Sequence, residues 1–578
     1  MPFIALGVAM IIVDATIVNV AIPSIIRDLH TTATTAEWVN SIYSLVFAAL
    51  LITLGRIGDM FGRRRLFRVG TAWFVLSSVV AATAPNSGVL ILGRFLQGIG
   101  GAMILPATLS TVNSLFEGQE RAIAFAIWGS TIGGMAAIGP FLGGVLTTEL
   151  SWRWAFLINV PLGLAVLAGL VLVVPETSDP RTRRGFDIPG QLTLTAGLAA
   201  LVFGLIEGQT YGWWTSTRRL GLLGWPAGSL SPVVVAILLA LLSLTAFVLI
   251  ERRRLRAGRL VVVDLRLFSI SSFSRGNAAA LIVSLGEFGL LFALPLYLQG
   301  ALGLSALATG AALVPLAAGT LLAGGATPAL APRLGPRGIV QLGLLLEVLG
   351  IGTVGLVLTP TISVWLVIPW LFVYGVGVGF ATAQLTGVVL TDVPVQASGQ
   401  GSGIQSTFRQ VGSALGVAIL GTILVTSLGS GVRSRLRDIH GLTPQRRDAI
   451  AAVVRASGGS AIVGLRAAPG QRRIAEASAE ALTSSASAVA FTAAGFVLCG
   501  LLFTAGLPNP RGGWGRRGVA DGGDIDGAGV ADAGVSGGVV DGAGVVDAGV
   551  SGDEVDQGPG VYGGGVPGAG DGVDVGAA

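Results

Sequence analysis

Asp14 and Glu287 are the first residues in this chain that could do chemistry, because each is a lone carboxylate inside a long apolar stretch. Removing one carboxylate from water into hydrocarbon costs roughly 3 kcal/mol on insertion scales, so each is expected to face a protein interior or a wet cavity. There it could carry a proton or contact a cation. The two settings resemble each other: Asp14 is followed by Pro23 and Glu287 by Pro295, each proline weakening its helix a little over two turns on. Two arginines lie in similar surroundings, Arg94 and Arg409, and the latter could pair electrostatically with Glu287. Arg94, Gln97, Gly98 and Gly101 recur at i, i+3, i+4 and i+7, so they share one helical face on which small residues admit a neighbouring backbone. Structural roles stay open for both polar groups, with Asp14 bonded near a helix end and Arg94 donating to backbone carbonyls. Glu347 is a further lone acid whose flanks suggest no more than a helix-end position.

The elements that must hold these residues are membrane spans. Hydrophobic residues make up 52% of the 578, and charged residues only 12%, about half the usual share in soluble domains. With a span needing about 20 mostly apolar residues, fourteen are expected: 3–25, 37–57, 66–85, 88–114, 121–147, 153–174, 189–208, 231–250, 274–299, 305–330, 338–359, 362–390, 401–428 and 486–507. The first begins almost at Met1. Its length and Asp14 argue for a retained helix rather than a cleaved signal peptide, and a misplaced start codon reads equally well. Arginines concentrate in the loops that are cytoplasmic if both termini are, as in Arg63 to Arg65 and Arg252, Arg253, Arg254 and Arg256. The segment 429–485 breaks that bias and is expected to be a long loop outside.

The remaining composition excludes several function classes. All 36 basic residues are arginine, so no phosphate loop of the GxxxxGK[ST] type exists, and energy must come from a source such as an ion gradient. One cysteine, Cys499, allows no intrachain disulfide, and the isolated His30 and His440 suggest neither a metal site nor a catalyst. Cofactors and metals are therefore not expected. The net charge of +5 is spread over membrane loops, which favours contact with anionic lipid over nucleic acid. No nucleophile elbow or cofactor loop is found, so an enzyme is not expected.

Between the second and third spans, residues 55–65 read GRIGDMFGRRR. Gly55, Gly58 and Gly62 permit a turn and close helix approach, Arg63 and Arg64 hold one face cytoplasmic, and Asp59 could latch moving helices by an ion pair. A second copy, PALAPRLGPR at 328–337, aligns Gly335 with Gly62 and Arg337 with Arg64, but puts Pro332 at the place of Asp59. Loop 55–65 resembles the signature of the major facilitator superfamily. DATIVNVAIPSI at 14–25, which includes Asn19, LGRFLQGIGGAMILP around Arg94 and GSTIGGMAAIGPFLGG at 129–144 are similar to that superfamily's further motifs. WRWAFLINVPLG at 152–163, LPLYLQ at 294–299 and SGIQSTFRQVGSALG at 402–416 extend the likeness. In the third motif, Gly133, Gly139, Pro140, Gly143 and Gly144 make small-residue packing faces around an expected flex point. It resembles the antiporter motif.

Fourteen spans and these motifs resemble the drug:proton antiporter branch, the QacA- and EmrB-like exporters. That resemblance implies an all-α polytopic membrane protein with the major facilitator fold, two six-helix bundles plus two inserted helices. The implied domains are an N-terminal bundle 1–176, an insert 177–260, a C-terminal bundle 261–510 with loop 429–485, and a tail 511–578. In the tail DGAGVADAGVSG at 526–537 recurs as DGAGVVDAGVSG at 541–552, an acidic, glycine-rich composition expected to be disordered. The implied function is proton-driven antiport, by alternating access, of lipophilic and often cationic drugs or antibiotics. Asp14, Asn19, Arg94, Gln97, Glu287 and Arg409 are the expected coupling and cavity residues. The expected protein is a monomer in the cell membrane, with protons, small molecules and lipids as partners and both termini cytoplasmic. A metabolite importer or symporter of the same fold, and a non-transporting sensor or scaffold, remain open.

Overall fold

The computed structural model describes residues 1–116, 118–176, 185, 187–217, 228–394 and 398–507. Tail 511–578 and linker residues 177–184 lie outside this set, as do the side chain of Asp59 and the surroundings of Gly129 and Gly133. Among the described residues the chain is helical, with one isolated bridge between Thr215 and Leu230. The first half contains α1 (Pro2–Asp28), α2 (Ala33–Phe61), α3 (Arg63–Ala82), α4 (Ser87–Leu115), α5 (Gly118–Glu149) and the joined pair α6 (Trp154–Leu157) and α7 (Asn159–Leu172). The insert follows as α8 (Ile188–Tyr211) and α9 (Pro232–Arg256). The second half comprises α10 (Ser271–Gly300), α11 (Ala306–Val357), α12 (Val364–Leu390), α13 (Ser398–Arg435), two short helices α14 (Pro444–Ala456) and α15 (Ala461–Ala467), and α16 (Arg472–Thr504).

Among the described residues, thirteen helical segments are long and apolar enough to cross a membrane, and all coincide with expected spans. The other expected span, 121–147, lies within the continuous helix α5. α11 supplies two of the thirteen, Ala306–Thr327 and Ala329–Val357, and within the second Gly335 leaves helical geometry at φ 69°. Gly62 does the same between α2 and α3 at φ 114°, where a side chain would also strike Glu176. Only glycine takes these left-handed conformations at little cost, so the two copies of the loop are one backbone device used twice. Their arginines match too: Arg64 donates to the Val171 carbonyl near the end of α7, and Arg337 donates to the Leu507 carbonyl just past α16.

Two expectations need correction. The segment 429–485 is not one long loop, since α13 continues to Arg435 and α16 begins at Arg472, with α14 and α15 between. Its arginines are partly spent on the helices' own acids, as in Arg433 with Asp448 and Arg435 with Glu480. Glu347 is not at a helix end either. It lies in the middle of the second limb of α11 and is completely buried.

The insert is a hairpin with unequal sides. α9 is the most apolar span and little of it is buried, so most of its surface faces lipid. α8 instead lies along α2 and α13, one from each half. Gln191 donates to the Ala49 carbonyl and accepts from Thr53 on α2, while Thr422 of α13 donates to the Leu205 carbonyl at 3.1 Å. α8 therefore spans the seam between the halves.

Candidate functional site

Two polar centres lie at membrane depth, one in each half, and they differ in how their charges are held. In the first half α1 supplies Asp14, α3 Ser78, α4 Arg94 and Gln97, and α7 Asn159. Arg94 Nη1 donates to Asp14 Oδ2 at 2.5 Å and to Gln97 Oε1 at 3.0 Å, and Arg94 Nε donates to the Val39 carbonyl of α2 at 3.0 Å. Asp14 Oδ1 accepts from Gln97 Nε2 at 2.9 Å and from Asn159 Nδ2 at 2.7 Å. Ser78 Oγ accepts from both amides. The Tyr43 ring stacks on the guanidinium at 4.2 Å.

Arg94, Gln97, Asp14 and Asn159 are all at 0% exposure. A buried ion pair is tolerated in apolar surroundings when further hydrogen bonds satisfy its other atoms, and here both carboxylate oxygens are occupied. The shared face of Arg94, Gln97, Gly98 and Gly101 is borne out: Gly98 meets the α2 backbone at Tyr43, where a Cβ would be 2.8 Å from the carbonyl oxygen, and Gly101 lies under the Tyr43 hydroxyl. That approach brings Arg94 to Val39. Arg94 thus bonds both a carboxylate and, as the structural reading expects, a backbone carbonyl. Asn19, one turn beyond Asp14, is engaged separately by Asn40 of α2 at 2.5 Å.

In the second half Glu287 of α10 and Arg409 of α13 line one cleft, together with Ser284, Thr382, Thr386 and Gln405. Gln405 donates to Thr386 at 3.1 Å. The two charged groups interact through space, yet no hydrogen bond or ion pair within 4.0 Å joins them, so the expected pairing is electrostatic and loose. Glu347 adds a third charge-bearing group. It acts electrostatically on both Glu287 and Arg409, its carboxylate has no hydrogen-bond partner, and it is fitted against Gly377 of α12. This centre therefore contains two acids and one base at membrane depth without a closed hydrogen-bond network.

The glycine-rich face of α5 links the halves. A Cβ on Gly139 or Gly143 would meet α1, at Thr16 and at the Ile17 carbonyl, while one on Gly144 would lie 2.5 Å from the Ala306 carbonyl of α11. Gly310 of α11 in turn approaches the Pro140 carbonyl. The helix is continuous through Pro140 rather than broken there.

At the loop of residues 55–65, Gly55 packs α2 against Pro106 of α4, and Gly58 packs it against Leu66 of α3. Arg63 donates to the Ser110 carbonyl at 3.3 Å. Glu176 accepts from the backbone N–H groups of Arg64 and Arg65, capping the start of α3 with negative charge. The Asp59 latch lies outside the described residues.

Sequence reasoning missed Ser78, Asn159, Tyr43, Glu176 and the depth of Glu347. Asn159 lies within WRWAFLINVPLG, so that match already contained the signal. Ser78 and Tyr43 carry none, since lone hydroxyls in apolar helices are common.

The sequence profile described as the Major Facilitator Superfamily matches residues 4–417. The chain is 34% identical to the puromycin resistance protein pur8 of Streptomyces alboniger, covering 75% of this chain and 82% of that protein. It is 33% identical to the multidrug resistance protein Stp of Mycobacterium tuberculosis, over 75% and 76% of the two chains. With the multidrug efflux pump LfrA of Mycolicibacterium smegmatis it shares 32% identity over 80% and 86%. Among solved structures, a bacterial homologue of the lysosomal transporter Spinster superposes with a TM-score of 0.57 at 16% identity, covering 87% of this chain and 96% of that one.

Proposed function

The chain belongs to the Major Facilitator Superfamily, and from that premise we propose that it is a proton-driven antiporter exporting lipophilic, often cationic drugs or antibiotics by alternating access. It is a multi-pass membrane protein. The direction of transport rests on its relatives, which are named for resistance and efflux. The small-residue contacts of α5 with α1 and α11 fit a helix on which one half rocks against the other.

One observation carries the coupling site: Glu287 and Arg409 line a common cleft without bonding each other. Such a carboxylate can hold a proton or a cationic substrate, and holding one disfavours the other. With both termini cytoplasmic, a proton arriving from outside displaces the drug from Glu287. After the halves rock inward, release of that proton to the cytoplasm frees the carboxylate for the next cation. Arg409 and Glu347 set the local field, so that the site never carries two uncompensated negative charges. Asp14, Arg94, Gln97 and Asn159 act in this scheme as the rigid frame of the first half.

Domains follow the same division, with bundles at 1–176 and 261–510 and the insert 177–260 along their seam. Loop 55–65, through Gly62, Arg64 and the Glu176 cap, forms the inner gate, to which Asp59 adds a charge. The test is reconstitution in proteoliposomes with ethidium as the probe. Drug addition should release protons, and Glu287→Gln should abolish that release. Ethidium accumulation rather than loss in cells expressing the protein would overturn export in favour of import.

A further inference from the structure

Glu37, one turn into α2, is completely buried, and neither of its carboxylate oxygens has a hydrogen-bond partner. Its position is more specific than its burial. The carboxyl group presses on Gly421 of α13, where a Cβ would lie 2.8 Å from Glu37 Cδ, so it sits on the seam between the two halves. The next residue, Trp38, donates its indole N–H to Glu207 of α8 at 2.8 Å. Both halves and the insert thus meet at one unpaired acid.

Deeper along the same seam the contacts are neutral. Ser41 donates to the Ala414 carbonyl at 3.4 Å, Ser44 and Ser413 share a 3.4 Å contact, and Thr407 donates to the Ala48 carbonyl at 3.5 Å. The charged groups on the surrounding elements are already accounted for. Glu207 faces Glu37 from α8 and acts on it as a like charge. The stretch of α13 opposite, Ala414 to Val425, has no ionisable side chain. On α4 the one cation, Arg94, is committed to Asp14; on α1 the exposed Arg27 donates to Ser24 and Asp28 is held by Trp152 and Arg153, and His30, in the turn between α1 and α2, is exposed. α14, which approaches the start of α2, places Arg455 against Gly429 rather than Glu37. The arginines of α3 lie at its other end.

We propose that Glu37 is a proton-binding site on the α2–α13 seam, closing the seam when protonated and holding it apart when ionised. An ionised carboxylate sealed against a glycine with no partner is strongly disfavoured, whereas a neutral carboxyl loses only its hydrogen bonds to water. Parting the seam admits water and removes that cost. Trp38 cannot offset it, because its one donor is spent on Glu207, so the insert keeps the site unpaired. This rests on the alternating-access reading, in which α2 and α13 must separate. Glu37 lies near the end of α2 that would face outside, so the proton that closes the seam is taken up from there.

The experiment uses the full chain in nanodiscs, with Cys499→Ser and spin labels at His30→Cys and Val453→Cys, both exposed positions. Distance distributions are recorded between about pH 5 and 8. The unmodified acid should move the population from short to long distances as pH rises, by on the order of tenfold in the ratio. Glu37→Gln should stay short throughout, Glu37→Asp should restore the shift, and Glu207→Gln, by removing the like charge beside Glu37, should move the midpoint to lower pH. A shift in Glu37→Gln with the unmodified midpoint overturns the proposal. Ethidium efflux is measured in parallel: a Glu37-dependent shift without efflux retains this inference and removes the export reading, and efflux with a Glu37-independent shift does the reverse.

Discussion

Arg94 and Asp14 meet at 2.5 Å with at most 1% of either side chain exposed, and every oxygen of the carboxylate is bonded. A pair this closed behaves as a clamp between α1 and α4. Breaking one member of a buried pair leaves the other charged and unpaired, at about 3–5 kcal/mol. Asp14→Asn should therefore lower the thermal midpoint in detergent and reduce ethidium efflux together. The double variant Asp14→Asn with Arg94→Gln should recover part of the midpoint, because no net charge is left buried. A stable Asp14→Asn protein that lacks only proton release would instead put the coupling proton on Asp14.

Glu287 should give the opposite pattern. Its carboxylate lines the cleft and makes no ion pair with Arg409, so Glu287→Gln removes little that holds the fold. The expected result is a midpoint within a few degrees of the unmodified protein, with drug-driven proton release lost. Retained proton release would remove Glu287 from the mechanism.

How far the sequence could be read differs between these two centres. Asp14 and Arg94 were legible because each is a costly residue in an apolar stretch and the i, i+3, i+4, i+7 pattern fixed which way α4 faces. That Glu287 and Arg409 share a cleft was likewise foreseeable, but not that they stay apart, since spacing along two helices does not set the distance between them. Glu347 and Glu37 were harder. Burial of a single acid depends on which helices cover it, and Gly377 and Gly421, which admit those two side chains, sit far away in sequence. The left-handed turns at Gly62 and Gly335 were the most readable feature, because the requirement is local to one residue.

Glu347 offers a stability test. Both oxygens lack partners at 0% exposure, so replacing the acid by an apolar residue of similar volume should stabilise the fold, by about 1–4 kcal/mol. Glu347→Leu is expected to raise the thermal midpoint while altering the pH dependence of efflux, through the field it exerts on Glu287 and Arg409. A lower midpoint would mean that Glu347 is bonded in the conformation that dominates in the membrane.

Gly144 tests whether the α5–α11 contact is part of the moving interface. A methyl group there would lie 2.5 Å from the Ala306 carbonyl and 3.1 Å from Leu307 Cα, and neither backbone atom can yield as a flexible side chain would. The contact is close to the Thr148 hydroxyl, which accepts from the Leu307 N–H at 2.8 Å and ties the same ends together. Gly144→Ala should thus force α5 and α11 apart and disfavour the conformation in which they touch, at about 1–3 kcal/mol. Because the clash lies between halves rather than inside one, the expected effect falls on the conformational equilibrium: efflux drops by on the order of tenfold, while thermal unfolding of each bundle changes little. Gly143→Ala is the control, since its methyl would meet the Ile17 carbonyl of α1 within the same half. It should lower the thermal midpoint more than Gly144→Ala does. Equal losses of stability in both variants would show that the glycines serve packing alone.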